Sequence, residues 1–311
     1  WSLRRAAAIA LTGCHDAEAV SLLLRLGADA DPDVSSAARQ ALLARSDPLA
    51  ASALVTIYPS LAAADRRRIL DRLRGHDTPT IRSLLWQELD ASDPRIAMTA
   101  GATLTALGLN VFDASHAATI VRSCASSDPL IRDPATFILA RNRAAAAPAV
   151  RDALLGADAV EEAEALGRLL VGLSGPAARA ALLAIAAGDA AGSAAAGTGA
   201  VAALRMFRTP QTTEDLAWIY TPELPRTTRE ELCAAFEDLP RSPGARSGLL
   251  SALGDTDSNL RLRAFRVLLQ YGASTRDEID WLLGRILDEQ VPWVRNRMAR
   301  LLAGSALGEG A

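Results

Sequence analysis

Asp93-Pro94-Arg95-Ile96-Ala97-Met98-Thr99-Ala100 sets an acidic residue before a proline, a branched residue two places beyond it, and then small and apolar residues. A carboxylate in that position accepts the free N–H groups of a starting helix, and proline suits the first helical position because its missing N–H has no partner there anyway. The same order recurs as Asp31-Pro32-Asp33-Val34-Ser35-Ser36-Ala37-Ala38 and as Asp128-Pro129-Leu130-Ile131-Arg132-Asp133-Pro134-Ala135. Weaker copies begin at Asp257 and at Val291. A capped helix start repeated along a chain predicts an all-α repeat fold.

Working outward from these starts, the second helices of successive pairs are expected near residues 2, 33, 62, 94, 129, 159, 190, 228, 258 and 292. The mean interval of about 32 residues fits two short helices and two turns. So short a pair cannot bury its own apolar stripe, so neighbouring pairs must cover it and the chain grows as a solenoid. The expected architecture is a right-handed α-solenoid of about ten helix pairs. Two stretches break the period. Gly188 to Ala200 is low in complexity and reads either as a flexible loop or as a small-residue helix in tight contact. Thr209 to Pro225, with Pro210, Pro222 and Pro225, reads as a non-standard insertion. The expected organisation is therefore 1–187, an irregular segment with a candidate hinge at 188–225, and 226–311; two rigid halves are the alternative.

The Asp-Pro-x-[Val/Ile]-Arg pattern of Asp128 to Arg132, followed by Ala135 and Leu139, resembles the second helix of a HEAT repeat. It is similar to the short bacterial HEAT-like repeats found also in phycobilin-lyase subunits. The resemblance is clear at 31–44, 93–108, 128–140 and 257–304 and faint at 145–245. It implies architecture and says little about activity, because the motif consists of caps and core residues. Ser35 and Ala97 stand where the pattern has Arg, so a ladder of arginines is incomplete.

Composition agrees with helices. Half of the 311 residues are hydrophobic but only 4% are aromatic, leaving burial to Ala and Leu, both strong helix formers. All 33 basic residues are Arg, which with the abundance of Ala points to the coding bias of a GC-rich bacterial genome. A net charge of −3 argues against a generic nucleic-acid or membrane-surface binder. The apolar runs fall short of a membrane span. Three distant cysteines, Cys14, Cys124 and Cys233, imply no disulfide framework, and a cytoplasmic location is the default. The chain opens at Trp1 inside a predicted helix. With Leu3 it suggests an uncapped end covered by further residues or another subunit, as part of a larger chain or complex.

The chemistry-bearing residues do not gather into a catalytic frame. Asp31, Asp93 and Asp128 are spaced by the repeat and read as helix caps. His15, His76 and His116 lie at no metal-ligand spacing, and adjacent Cys14 and His15 point in different directions on a helix. No cofactor or metal is expected. Two features remain. Arg66, Arg67, Arg68, Arg72 and Arg74 form one dense cluster, Arg261, Arg263 and Arg266 a second, and Arg295, Arg297 and Arg300 a third. On the inner face they would suit phosphate or an acidic partner, although interleaved acids also allow pairing between repeats. Trp218, Tyr220, Trp281 and Trp293 concentrate aromatics in the C-terminal third, near Arg.

The sequence thus predicts a non-enzymatic protein-binding scaffold or adaptor, gripping its partner on the concave second-helix face. Trp281, Trp293, Arg295, Arg297, Arg261 and Arg263 are the candidate contacts; Arg66, Arg67 and Arg132 are candidate anion contacts. Nucleic-acid or phosphate recognition through the arginines is the alternative from another class. An enzyme or lyase-accessory subunit is a third.

Overall fold

The structure is a computed structural model, and it describes residues 1–14, 16–113, 115–190, 192–272 and 276–307. His15 lies outside the described residues. By contacts the chain divides into two compact units, 1–146 and 147–311. The first holds α1 (Ser2–Ala10), α2 (Ala17–Gly27), α3 (Pro32–Ala44), α4 (Pro48–Ile57), α5 (Ala63–Arg72), α6 (Pro79–Leu89), α7 (Pro94–Ala106), α8 (Ala117–Cys124) and α9 (Pro129–Arg141). The division falls within α10 (Arg143–Leu155). The second unit continues with α11 (Val160–Ser174), α12 (Ala178–Ala187), α13 (Ala194–Leu204), α14 (Pro210–Ile219), α15 (Arg226–Asp238), α16 (Pro243–Ala252), α17 (Ser258–Tyr271), α18 (Arg276–Asp288) and α19 (Pro292–Leu307). No strand occurs among the described residues.

The odd-numbered helices are the ten second helices expected from the spacing, each start within four residues of its expected place. They stack on one another, α1 on α3 and α5 on α7 on α9 in the first unit, α11 through α13, α15 and α17 to α19 in the second. The even-numbered helices form the other layer, with α2 on α4 on α6 and α12 on α14 on α16. Helix starts follow the capping chemistry. Asp93 accepts from the Arg95 N–H at 2.9 Å, Asp128 from Leu130 at 2.9 Å, and Asp31 from Asp33 at 3.0 Å.

The 188–225 stretch lies inside the second unit and is largely helical. Gly188, at φ 79°, closes α12 in the left-handed region that glycine reaches without strain, and the Ser193 hydroxyl accepts from the Ala196 N–H at 3.0 Å to open α13. α13 is the small-residue helix of the two alternatives, nearly all buried between α11, α12 and α15. Small side chains are what let it in: a Cβ on Gly199 would lie 2.7 Å from that of Ala163, and one on Gly167 would lie 2.8 Å from that of Ala203. The expected insertion at 209–225 is corrected in the same way. Thr209 caps and Pro210 starts α14, an ordinary member of the even layer, so the proline begins a helix there instead of interrupting one.

Residues 160–187 are apolar enough, by length and composition, to cross a bilayer. They are α11 and α12, separated by a 3₁₀ turn at Gly175 with φ 53°, and α11 buries Ala163, Leu166, Gly167 and Leu170. At the other extreme, α1 buries only Ala8 and leaves Trp1, Leu3 and Ile9 exposed.

Candidate partner-binding surface

Many of the arginines turn out to be clasps between consecutive second helices. Arg4 in α1 binds Asp29, just before α3, at 2.8 Å; Arg95 in α7 binds Asp128, the cap of α9, at 2.6 Å. In the second unit Arg229 in α15 binds Asp255 before α17, and Arg261 in α17 binds Glu289 before α19 through two bonds of 2.7 and 2.6 Å. All four acids also accept the backbone N–H two residues on, at Asp31, Leu130, Asp257 and Val291. Each therefore fixes the turn and the next helix start together. Ser35 and Ala97, which replace the expected arginine, are buried and leave no exposed site for a guanidinium.

The Asp255 clasp is the most deeply buried. Its carboxylate accepts from Arg229 and from the Tyr220 hydroxyl, the latter at 2.6 Å, with Cys233 beside them in the core. Burial alone would raise the Asp255 carboxyl, but the hydrogen bonds from Tyr220 and Arg229 outweigh it and hold it below the usual carboxylate range. Burial, with the bond to Asp255, drives the Tyr220 phenol upward, and burial pushes the Cys233 thiol up to about 12. The sequence did not reveal this network; for Tyr220 it left an interface position and burial at a seam between repeats equally open, and Tyr220 is buried. At the next clasp the Arg261 guanidinium holds Glu289 low against the opposing effect of burial.

The candidate contacts therefore separate. Arg261 and Arg263 are committed inside the fold, Arg263 to Glu237 at 3.0 Å and to the Glu230 carbonyl. Arg66 donates to the carbonyls of Leu61 and Pro59 at 3.0 and 2.8 Å and lies over the Tyr58 ring. Arg132 pairs with neighbouring Asp133 at 3.1 Å, and Arg67 is half-buried on α5. Arg66 and Arg132 share no contact partner. His116 is held between Asp113 and Asp90, at 2.9 and 3.1 Å, and His76 lines a cleft with Arg68, Asp71, Arg72 and Arg74. Among the described residues, no three His, Cys, Asp or Glu side chains gather as a metal site.

What the fold does bring together is on α19. Val294, Met298 and Leu302 form its buried stripe, packed toward α17 and α18. Residues three and four apart share a helix face, so the opposite face carries Trp293, Asn296, Arg297 and Arg300, all exposed. Arg297 and Arg300 have no acidic partner among the described residues, whereas Arg295, nearer the buried edge, donates to the Glu289 carbonyl at 3.4 Å. A tryptophan half exposed (51%) thus shares one face with two guanidiniums that no carboxylate among the described residues pairs.

Trp281 belongs to α18, in the other layer; Leu283 and Leu287 of the same helix are exposed on a different side from it. The two leucines escaped sequence reasoning. The signal was a stripe of Ile279, Leu282, Leu283, Ile286 and Leu287, wider than one packed face of a helix covers.

Neither a protein-family model nor a curated protein matches the chain. Among solved structures it is similar to human deoxyhypusine hydroxylase in complex with glycerol, at 17% identity and a TM-score of 0.32, over 82% of this chain and 96% of that one.

Proposed function

We propose that the chain is a HEAT-like helical-repeat scaffold that holds a protein partner on the outward face of α19. The observation that carries this is the gathering of Trp293, Asn296, Arg297 and Arg300 on one exposed face, while the clasp arginines nearby are consumed by the fold. Such a surface suits an acidic segment with an apolar side chain to set against the indole: charge guides the encounter and the buried aromatic supplies most of the affinity. Work of this kind needs no catalytic frame, because a stack of capped helices supplies rigid display alone.

The test is affinity capture of the full chain from its native cells, comparing wild type with Trp293→Ala/Arg297→Glu. Loss of one stoichiometric protein in the variant, with helicity unchanged by circular dichroism, is expected. Arg132→Glu, on α9, is expected to keep that protein. Binding that disappears on nuclease treatment would replace the protein partner with nucleic acid, and an unchanged set of captured proteins would remove α19 as the contact surface.

A further inference from the structure

The odd layer of the first unit is open at one place. α1 packs on α3 and α5 packs on α7, but α3 and α5 do not close on each other in the same way. Asp65-Arg66-Arg67-Arg68 and Asp71-Arg72 load α5 with charge that is costly to bury against a neighbouring helix. The gap is a cleft of about 530 Å³, the size of an ordinary small-molecule site. α3 and the turn after it contribute Leu43 and Ser46; α5 and the turn after it contribute Arg68, Arg72, Arg74 and His76. Asp71 is the one acid in the lining, and it pairs with Arg74 at 2.9 Å. Three guanidiniums against one carboxylate leave the cleft positively charged.

Two of these guanidiniums are already held in place. Arg72 donates through Nε to the Arg45 carbonyl at 3.2 Å, and through Nη2 to the carbonyls of Ala44 and Arg45 at 3.3 and 3.0 Å. Its Nη1 donates to no acceptor among the described residues. Arg74 is held by Asp71 and lies 5.8 Å from the centre of the Phe137 ring on α9. Arg68, one turn before Arg72, is exposed, and neither its side chain nor that of His76 has a partner among the described residues. A guanidinium fixed along one edge offers its other donors with little further loss of freedom on binding. A phosphate group suits this arrangement, because its oxygens accept from several guanidiniums at once, whereas a carboxylate is filled by a single fork. We infer that the cleft between α3 and α5 binds the phosphate group of a small molecule, either free phosphate or an ester whose apolar part lies against Leu43. The net charge of −3 on the chain opposes a long nucleic-acid track in its place. This site lies in the first unit and shares no residue with the α19 face.

Isothermal titration calorimetry of the full chain with inorganic phosphate, phenyl phosphate and acetate, backed by shifts in thermal midpoint, tests this. Both phosphates are expected to bind at one site, and acetate about tenfold more weakly or less. Tighter binding of phenyl phosphate assigns the site to an ester and equal binding assigns it to free phosphate; both support the cleft. Arg68→Glu breaks no described contact and should weaken phosphate binding by about tenfold or more with helicity unchanged. His76→Ala should weaken it by a smaller factor, and Trp293→Ala/Arg297→Glu should bind phosphate as wild type does. If Arg68→Glu costs helicity, Arg68→Gln is expected to lose several-fold in affinity, and no loss in that variant would overturn the inference. So would a wild type in which neither phosphate gives heat or a thermal shift, or acetate binding as tightly as phosphate. Phosphate binding that Arg68→Glu and His76→Ala both leave unchanged would place the site elsewhere and sink the cleft. A single-stranded oligonucleotide that displaces phosphate and binds far more tightly, with an affinity falling steeply with salt, would replace the small molecule with nucleic acid.

Discussion

Glu289 shows how a single carboxylate couples the repeats to pH. Its side chain is almost fully buried, bonded twice by Arg261 and once by the Val291 N–H, so its folded pKa lies below its ordinary 4.5. A depressed carboxylate contributes stability that is fully present above its unfolded pKa and lost as pH falls through the lower, folded one. Glu289→Gln removes the charge while keeping one acceptor, and should cost about 1.5–3 kcal/mol at neutral pH. It should also flatten the fall in stability below pH 4.5. Denaturant titrations at neutral and acid pH check both. An acid limb as steep as in wild type would show that the clasp is not what titrates. Asp255→Ala, which strands Arg229 and Tyr220 in the core, should cost more, about 3–5 kcal/mol. Neither pair was legible in the sequence, since the partners stand 28 and 26 residues apart and only the stacking of α15, α17 and α19 brings them together.

Among the helices, α13 depends on the side chains it lacks. Gly199 and Gly167 meet Ala163 and Ala203 at distances that leave no space for a methyl group. Gly199→Ala should therefore destabilise the chain by about 1–3 kcal/mol through overpacking, despite the better helix propensity of alanine. Gly172→Ala is the control: its added Cβ meets nothing within 4 Å, so propensity alone acts and stabilises by up to about 1 kcal/mol. Opposite shifts in thermal midpoint are expected, and a neutral Gly199→Ala would mean that α11 and α13 can separate at little cost. Most of this level was readable beforehand, because caps are local: Asp31, Asp93, Asp128 and Asp257 each mark a start within a few residues of sequence. Reading failed where one signal has two meanings. Pro210 starts α14 but resembled a breaker, and the Gly-Ala run before residue 200 packs tightly but equally resembled a loop.

At the scale of the molecule, each unit encloses one helix on nearly every side, α7 in the first and α13 in the second, and each is clasped by its own arginine–acid pairs. Stability in a stacked chain is the sum of intrinsic repeat terms and nearest-neighbour contacts, so damage should spread from the altered pair and fade along the stack. Leu85→Ala in α6 and Leu249→Ala in α16 each empty a fully buried site, at a cost of about 2–5 kcal/mol. Hydrogen exchange should show protection lost first in α6 and α7 for one variant, and in α14, α16 and α17 for the other. Loss shared evenly along the chain would instead mean that 1–146 and 147–311 open as one cooperative body. The same experiment bears on the partner surface. α19 packs on α17 and α18 with a single buried stripe, so its protection should be low in the free chain and rise when its outward face is covered. Exchange in α19 that slows when the captured partner is added, and no longer does so in Arg297→Glu/Arg300→Glu, would locate the contact on that helix. Exchange in α19 unchanged by a partner that still binds would place the contact elsewhere.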